Sequence, residues 1–431
     1  MINTHRLVLY KNFMYQDIFE DITWLMNNYD NEYYNKKDLV RLCYENVNKL
    51  VELASSFGFE GNLWHSFLAH LLANHENAFS TSCEMKGKIE GSLNDLACND
   101  FRIFKSLFDY DFQKLEEVLE INCFSLIKTY QNVCYQSKVF NKRIRDEIHD
   151  LGLKLVGSKD ENEFLSIITN FYEKVGVGIL GLHKAFRIGV ADEKVEIIPI
   201  SNVEHIYFKD LVGYELQKKK LIDNTEAFLE GKKANNVLLF GDSGTGKSSS
   251  IKAVLNEYYD KGIRMIEIYK HQFKYLSAVI QQIKDRNYKF IILMDDLSFE
   301  DYEIEYKYLK AIIEGGLEKK PDNVLIYATS NRRHLIREKW SDKEDRREDL
   351  HASDTVEEKL SLAARFGVSI FFIAPNKKEY ENIVKVLAEK YNIYMDEEKL
   401  FLEANKWELS HGGLSGRTAT QFINYLLGFQ K

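Results

Sequence analysis

The chain has 431 residues, of which 45% are hydrophobic and 29% are charged, and its formal net charge is −8. This acidic balance excludes an overall electrostatic attraction to nucleic acid or to anionic membranes, although a local basic patch is compatible with it. No apolar run reaches the roughly 18 residues that a membrane helix needs, and the five cysteines form no C-x-x-C pair. We therefore expect a cytoplasmic protein with reduced thiols and no membrane partner.

Helical periodicity dominates the first part of the chain. In "DLVRLCYENVNKLVELA" the apolar residues fall near one face of a helix, and "FRIFKSLFDYDFQKLEEVLEI" repeats the pattern. The aromatic residues of these segments are typical of a packed core rather than of a cofactor site. The sequence therefore predicts a mostly α-helical N-terminal domain over residues 1–195.

Two patterns in this region imitate functional sites. His65, His70 and His75 recur every five residues near Cys83, but five-residue steps drift around a helix, which disfavours a shared metal. The segment "GVGILG", residues 176–181, has the spacing of a dinucleotide-binding fingerprint, which requires a strand before it. The preceding "FLSIITNFYEKV" has helical spacing, so we expect a helix there and no dinucleotide site.

Short apolar runs alternate with amphipathic helices in the following part of the chain. The candidate strands are 237–241, 264–269, 289–294, 324–329 and 368–374. Most of them are too apolar to alternate, which is typical of strands with helices on both faces. Because alternating strands and helices favour a parallel sheet with right-handed crossovers, we predict an α/β domain with a five-stranded parallel sheet over residues 196–375.

The first of these strands runs into "GDSGTGKS", which matches the phosphate-binding pattern G-x-x-x-x-G-K-[ST] at every position. In such a loop the backbone N–H groups surround phosphates, Lys247 neutralises the outer phosphates and the Ser248 hydroxyl ligates magnesium. We therefore predict a site for ATP and Mg²⁺. The expected nucleotide contacts are Gly241, Asp242, Ser243, Gly244, Thr245, Gly246, Lys247, Ser248 and Ser249.

Polar residues follow the ends of two later strands. Asp295 and Asp296 come after "FIILM", and we predict that Asp295 holds Mg²⁺ through its bound waters while Asp296 polarises the attacking water. Adjacent strand residues point to opposite faces, so both acids serve only if the strand ends there. Asn331 follows the next strand and is predicted to contact the water or the terminal phosphate, since parallel strands present their carboxyl ends to one crevice.

These motifs resemble those of the AAA+ P-loop ATPases, and the likeness covers about residues 200–428. "YFKDLVGYELQKKKL" is similar to the family's adenine-contacting segment, which implies that Val212 and Gly213 lie at the base. "SLAARFG" resembles the arginine-finger segment, which implies that Arg365 reaches the nucleotide of a neighbouring subunit in a homo-oligomer. An arginine finger stabilises transition-state charge.

"GGLSGRTATQF" looks like the start of the last lid helix. The resemblance therefore implies a small helical lid over residues 376–431, with Arg417 at the terminal phosphate. More closely, "DDLSF", "ATSNRRHLI" and "EEKLSLAARFG" resemble an uncharacterised bacterial ATP-binding AAA+ family, related to replication initiators and helicase loaders. Asp296 departs from the commoner glutamate, which implies weaker water positioning and slow turnover.

Each of these assignments has a structural alternative. Arg365 caps the preceding helix in that alternative, and Arg417 is a solvated residue of a first helical turn. In "KHQFKYL", Phe273 or Tyr275 either grips a polymer in a pore loop or packs in the core. The charged segment 330–351 is either a partner site near a subunit interface or a solvated face.

The sequence thus predicts an oligomeric ATPase that hydrolyses ATP at an inter-subunit site to remodel or load a macromolecular partner, which the N-terminal domain selects. A low-turnover, nucleotide-gated switch or loader acting near DNA is the alternative. A small-molecule kinase shares the phosphate loop but has no need of Arg365 or Arg417. The client, the oligomer size and any nucleic-acid contact stay open.

Overall fold

The structure is a computed structural model that describes residues 2–132, 141–191, 194–300, 303–314, 320–332, 335 and 362–429. The chain divides into two compact units, Met1–His183 and Lys184–Lys431, here called the helical unit and the α/β unit. This division differs from the predicted boundary at 195/196, because Ala185–Ala191 forms a strand that pairs with the sheet of the α/β unit. In the described residues, no helix is long and apolar enough to cross a membrane.

The helical unit has the mostly helical character that the sequence predicts. Its α-helices, in the described residues, are Gln16–Asn28, Lys36–Phe57, Leu63–Asn74, Ala78–Lys86, Ser92–Phe108, Gln113–Leu119, Cys123–Leu126, Lys142–Val156, Glu161–Lys174 and Gly178–Leu182. Several begin after an asparagine or aspartate whose side chain accepts a hydrogen bond from a backbone N–H of the first turn, which stabilises the helix start. These capping residues are Asn35, Asn62, Asn77, Asn141 and Asp160.

Aromatic side chains fill the core of the helical unit. Trp64, Phe101 and Phe104 are buried, and neighbouring ring centroids in this core lie 4.1–6.5 Å apart, as between Phe101 and Phe164 at 5.3 Å. Two of the histidines have backbone partners: the ring Nε2 atoms of His65 and His75 lie within hydrogen-bond distance of backbone carbonyl oxygens. Within the described residues, no group of three or more His, Cys, Asp or Glu is placed to hold a metal.

The glycine-rich segment 176–181 follows a helix, as predicted. Glu161–Lys174 ends just before it, and Gly178–Leu182 is itself a short helix. The strand that a dinucleotide fingerprint requires before its glycines is therefore replaced by a helix, and the spacing of the glycines is coincidental.

The α/β unit contains a mixed sheet of seven strands in the described residues. The strands are β1 Ala185–Ala191, β2 Lys194–Pro199, β3 Val237–Gly241, β4 Ile263–Glu267, β5 Lys289–Met294, β6 Val324–Ser330 and β7 Val368–Phe372. The prediction of five parallel strands is correct for β3 to β7 but wrong for the whole sheet. It missed β1, which is parallel to β4, and β2, which is antiparallel to β1, because no helix separates these two strands.

The order of strands across the sheet is β2-β1-β4-β5-β6-β3-β7. After β3 the chain forms β4, β5 and β6 on one side of β3 and then crosses to β7 on its other side. In open parallel sheets, ligands bind at the carboxyl ends of the strands beside such a reversal. The topology therefore points to the carboxyl end of β3, where the phosphate-loop motif begins.

The α/β unit also contains seven α-helices in its described residues. They are Glu215–Leu229, Lys247–Tyr258, Leu276–Ile283, Glu305–Glu314, Lys377–Lys390, Glu397–Ser410 and Gly416–Phe429. All seven residues of β6 are buried. Because successive side chains of a strand point to opposite faces of the sheet, both faces of the sheet are covered at this strand. The last three helices share a separate core around Tyr380, Val384 and Phe422. They occupy the segment that the resemblance assigns to a lid.

Candidate nucleotide and magnesium site

The phosphate-loop motif connects β3 to the helix that begins at Lys247. The Lys247 ammonium is buried, and its Nζ donates to the carbonyl oxygens of Gly241 at 2.9 Å and Asp242 at 2.6 Å and to Asn331 Oδ1 at 3.0 Å. Burial lowers the pKa of Lys247, the charge of Arg417 acts in the same direction, and nearby carboxylates oppose both. The loop thus holds a cation at the helix N-terminus, where anions bind readily.

Asp295 lies opposite the first turn of this helix. Its Oδ1 accepts hydrogen bonds from Ser248 Oγ at 2.6 Å and from Thr329 Oγ1 at 2.5 Å. Magnesium prefers hard oxygen ligands and is commonly held by one or two carboxylates together with phosphates. A serine hydroxyl beside a carboxylate at the phosphate loop fits that ion, so Ser248 and Asp295 are the residues that would hold it.

Asp296 turns away from the strand that precedes it. β5 ends at Met294, and Asp296 has a φ of 51°, in the left-handed region that non-glycine residues seldom adopt. Its Oδ1 accepts a hydrogen bond from Asn331 Nδ2 at 2.8 Å. The condition for both acids to reach the site is therefore met, because the strand ends before them. Asn331 joins Lys247 to Asp296 through the two ends of one amide.

The start of the last C-terminal helix contacts the phosphate loop. The Arg417 N–H donates to the carbonyl oxygen of Gly244 at 3.2 Å, and a Cβ on Gly244 would lie 2.9 Å from Ser415 Oγ and 3.1 Å from Arg417 Cβ. Arg417 is also close enough for its charge to affect the pKa of Lys247. The structure therefore brings the start of the Gly416–Phe429 helix to the loop, where the sequence predicts Arg417.

The segment with Val212 and Gly213 lies between the sheet and the C-terminal helices. Val212 packs against the core of those helices. The next residue but one, Tyr214, donates from its hydroxyl to the Ile373 carbonyl oxygen at 2.9 Å, and burial raises the pKa of Tyr214 to about 12. Asp242 Oδ2 accepts from the Ala374 N–H at 2.7 Å. Loop, segment and the end of β7 thus form one connected surface. Contact of Val212 and Gly213 with adenine stays a prediction.

Arg365 lies outside this cluster. It forms an ion pair with Glu314, at the C-terminal end of the Glu305–Glu314 helix. A role toward a neighbouring subunit's nucleotide stays a prediction from the resemblance. Phe273 is a core residue, 1% exposed and packed 6.2 Å from the Phe299 ring, so the core alternative is correct for this aromatic. Most of the charged segment 330–351 lies outside the described residues.

The sequence analysis missed one residue of the cluster, Thr329. It is 2% exposed, and its hydroxyl accepts from the Asp296 N–H at 2.9 Å while it donates to Asp295. The period of two along a strand is the signal that could have found it, because Thr329 lies at the carboxyl end of β6, two positions before Asn331.

Comparisons with known proteins give a family and remote structural neighbours. The family model described as "Protein of unknown function (DUF815)" matches residues 182–430. No curated protein matches the chain. A single-residue variant of Thermotoga maritima RuvB is 16% identical over 52% of this chain and 64% of that chain, less than two thirds of its length, with a TM-score of 0.36.

The Thermotoga maritima RuvB Holliday junction branch migration motor is 15% identical over 52% of this chain and 73% of that one, with a TM-score of 0.32. These neighbours lie at the level of distant similarity. The family model, by contrast, matches more than half of the chain, including the whole phosphate loop and the residues around it. The protein therefore belongs to the family described as Protein of unknown function (DUF815).

Proposed function

We propose that this protein is a magnesium-dependent ATPase of the AAA+ class, and that its α/β unit drives a change in a macromolecular partner. One observation carries the proposal. Lys247, Ser248, Asp295, Asp296 and Asn331 come from three segments of the chain and form one hydrogen-bonded cluster at the carboxyl ends of β3, β5 and β6. A structural glycine turn needs no such convergence of charged side chains.

The residues divide the chemistry of ATP hydrolysis among them. Lys247 and the N–H groups of the loop would bind the phosphates, and Ser248 and Asp295 would hold Mg²⁺, which when bound neutralises phosphate oxygens. Asp296 would accept a proton from the attacking water. Asn331, which contacts both Lys247 and Asp296, would orient that water relative to the phosphate.

The proposal also covers assembly of the protein and the choice of its partner. The resemblance supports a homo-oligomer in which Arg365 acts in the neighbouring subunit, and its half-buried position beside Glu314 leaves it at a helix end rather than in the core. The helical unit carries none of the nucleotide cluster, so we assign partner selection to it. A cytoplasmic location remains a prediction of the same kind.

A low-turnover, nucleotide-gated switch is the second candidate. The observation that favours it is the geometry of Asp296. Its side chain is one methylene shorter than that of glutamate, its backbone is in the left-handed region, and its carboxylate already accepts a hydrogen bond from Asn331. A base held in this way has less freedom to reach water than a longer glutamate. Turnover slower than about one per minute with tight nucleotide binding would favour this candidate over the motor, since typical enzymes turn over at roughly 1–1000 per second.

Nucleotide binding tests the shared core of both candidates. We expect Lys247→Met to weaken binding of a fluorescent ATP analogue by about a hundredfold or more, because a buried cation at the phosphates is lost. Lys320→Met is the matched control: Lys320 is partly buried, and its Nζ donates to Asn236 Oδ1 at 2.6 Å, beyond the amino end of β3. Equal binding by wild type and Lys247→Met, or no binding by wild type, would reject the proposal.

The dependence of hydrolysis on protein concentration tests the inter-subunit site. For an oligomeric ATPase we expect specific activity to rise with concentration and to fall about a thousandfold in Arg365→Ala, while nucleotide binding persists. Activity that is independent of concentration, in a protein that light scattering shows to be a monomer, would remove the inter-subunit role of Arg365.

A further inference from the structure

We propose that Thr329 is a positioning residue that fixes both acids of the site for the magnesium–nucleotide complex. This inference rests on the proposed nucleotide function and deepens it. Thr329 is next to the end of β6, is 2% exposed and contacts three consecutive residues of the neighbouring segment. Its hydroxyl contacts Asp295 and Asp296, and its carbonyl oxygen accepts from the Leu297 N–H at 2.7 Å.

The direction of each hydrogen bond follows from the groups involved. The Asp296 N–H is a donor, so the Thr329 hydroxyl accepts from it at 2.9 Å and keeps its proton for Asp295 Oδ1, 2.5 Å away. The Ser248 hydroxyl donates to the same Oδ1. In the described part of the chain, Asp295 Oδ2 receives no hydrogen bond. One carboxylate oxygen is thus fixed by two hydroxyls, and the other is left for water bound to a metal.

The same hydroxyl also holds the backbone of Asp296. That residue has a backbone φ of 51°, which residues other than glycine seldom adopt without support from the surrounding structure. The bond from its N–H to Thr329 supplies such support, and the Leu297 bond to the Thr329 carbonyl continues it. The Asp296 carboxylate consequently faces Asn331 rather than following the direction of β5.

Substitutions of Thr329 can separate the role of its hydroxyl from the role of its shape. Valine has nearly the same shape but lacks the hydroxyl, so Thr329→Val would leave Asp295 Oδ1 with one donor fewer and the Asp296 N–H without its acceptor. Serine retains the hydroxyl and loses only a methyl group. A purely structural role in packing β6 would therefore make serine the more harmful change, whereas a positioning role makes valine the more harmful one.

The metal dependence of nucleotide binding is the measurement that separates these roles. A fluorescent ATP analogue is bound to the full chain in excess EDTA and then titrated with Mg²⁺. We expect Thr329→Val to raise the half-saturating Mg²⁺ concentration about tenfold, in line with losses on removing partners of metal ligands, with unchanged affinity in EDTA. We expect Thr329→Ser to remain within about threefold of wild type, by the same reasoning.

Thr225→Val is the matched control. Thr225 is fully buried in the same unit, and its Oγ1 donates to the Leu221 carbonyl oxygen at 2.8 Å and lies 2.8 Å from the Tyr327 hydroxyl. Its removal should lower thermal stability without changing the Mg²⁺ titration. If Thr329→Val does not fold, Thr329→Ala compared with Thr329→Ser provides the same test, since alanine also lacks the hydroxyl.

The outcomes separate this inference from the proposed function. A wild-type Mg²⁺ titration in the valine or alanine variant overturns the role of Thr329 while leaving ATP binding intact. An equal shift in Thr225→Val overturns it too, because the effect would then be a general loss of stability. A wild-type protein that binds no nucleotide with or without Mg²⁺ overturns the proposed function and this inference with it.

Discussion

The helical unit and the α/β unit both bury charged side chains, but they give them different partners. In the helical unit, Asp100 is fully buried and accepts from the backbone N–H groups of Val8, Leu9 and Tyr10 at 2.7–3.1 Å. Glu116 similarly accepts from two backbone N–H groups at 2.8 and 2.9 Å. These carboxylates satisfy donors that the fold would otherwise leave unpaired.

In the α/β unit, the charged groups near β3 contact polar side chains from other segments, and Lys247 also donates to two backbone carbonyl oxygens. The ammonium of Lys247, the amide of Asn331 and the carboxylate of Asp296 form a chain of side-chain contacts, and a hydroxyl links Lys247's neighbour Ser248 to Asp295. Side chains can exchange such partners for a ligand more readily than a backbone can. The comparison teaches that charged groups mark a candidate binding site when they contact side chains that converge on one edge of a sheet, whereas carboxylates bonded to backbone N–H groups support the fold.

Gly241→Ala should produce the largest effect, a loss of stability in the α/β unit but not in the helical unit. Gly241 has a φ of 132°, and a Cβ there would lie 2.0 Å from the Phe372 carbonyl oxygen. We expect the α/β unit to lose about 4 kcal/mol or more, because strand β7 and the loop have to separate. Hydrogen exchange with mass spectrometry on peptides from each unit measures this loss separately from the helical unit.

Gly262→Ala is the control for backbone strain alone. Gly262 has a φ of 97°, but nothing lies within 4 Å of the added Cβ, so we expect a loss of about 1–2 kcal/mol. Equal losses in the two variants would mean that the approach of β7 to Gly241 does not constrain the loop.

Asp100→Asn should have the next largest effect, this time on the helical unit. Asparagine keeps one acceptor oxygen but places an NH₂ group where Oδ1 now accepts from Val8 and Asn99, and the negative charge is lost. We therefore expect a loss of about 3 kcal/mol, in the range of hydrogen bonds to charged groups. Hydrogen exchange with mass spectrometry on peptides from the helical unit reports on this loss. Nucleotide binding by the folded protein should not change.

Asp150→Asn is the matched surface change in the same unit. Asp150 is exposed and pairs with Lys154 one helical turn away, so its loss should cost about 0.5 kcal/mol or less. A similar cost for the two aspartates would remove the distinction between buried and exposed carboxylates on which the comparison depends.

His70 makes the stability of the helical unit depend on pH. Its ring is surrounded by Phe57, Phe59 and Tyr15, and burial lowers its pKa from 6.5 to about 4. Because the folded pKa is depressed for a group that is charged when protonated, the neutral ring is favoured. This stability is present above pH 6.5 and is lost as pH falls towards 4. The expected loss is up to about 3 kcal/mol.

His70→Phe should reduce this dependence while keeping an aromatic ring in place. Part of the dependence should remain, because burial also lowers the pKa of His65 and of His75. Urea midpoints between pH 4 and 7 give the measurement, and the exposed His149→Gln serves as control. A slope in His70→Phe equal to that of wild type would assign the pH dependence to other groups.

Tyr214→Phe should have the smallest effect, and it sharpens the comparison at the edge of the site. It removes the 2.9 Å hydrogen bond to the Ile373 carbonyl oxygen, for which we expect a loss of about 1 kcal/mol. Faster hydrogen exchange in peptides that span the end of β7 would locate the loss. Tyr33→Phe, at a residue that is 96% exposed, should leave exchange unchanged.

The parts of the protein that follow from local pattern were predictable. The phosphate loop is an eight-residue sequence whose glycines, lysine and serine are each required by the backbone or the ligand, so the motif alone located it. Apolar runs predicted β3 to β7, because strands covered on both faces cannot alternate. The acids after β5 were identified in the same way, by their position at the end of such a run.

Sequence reasoning reached less far where pairing partners lie distant along the chain. It missed β1 and β2, since a hairpin without an intervening helix does not fit the alternation on which the prediction depends. It also did not foresee the ion pair of Arg365 with Glu314, which became visible only once the helix that ends at Glu314 was in place. The support of Asp295 and Asp296 by Thr329 was likewise invisible.

By itself, then, the sequence determined the kind of site: a loop that fits phosphates, acids that fit magnesium and an amide between them. Only the tertiary structure decided how these groups are held, through the end of β5, the left-handed Asp296 and the Thr329 hydroxyl between two strands. The physical reason is range. A sequence motif specifies groups that lie within a few residues of one another, whereas the hydrogen bond between Thr329 and Asp295 joins residues more than thirty positions apart.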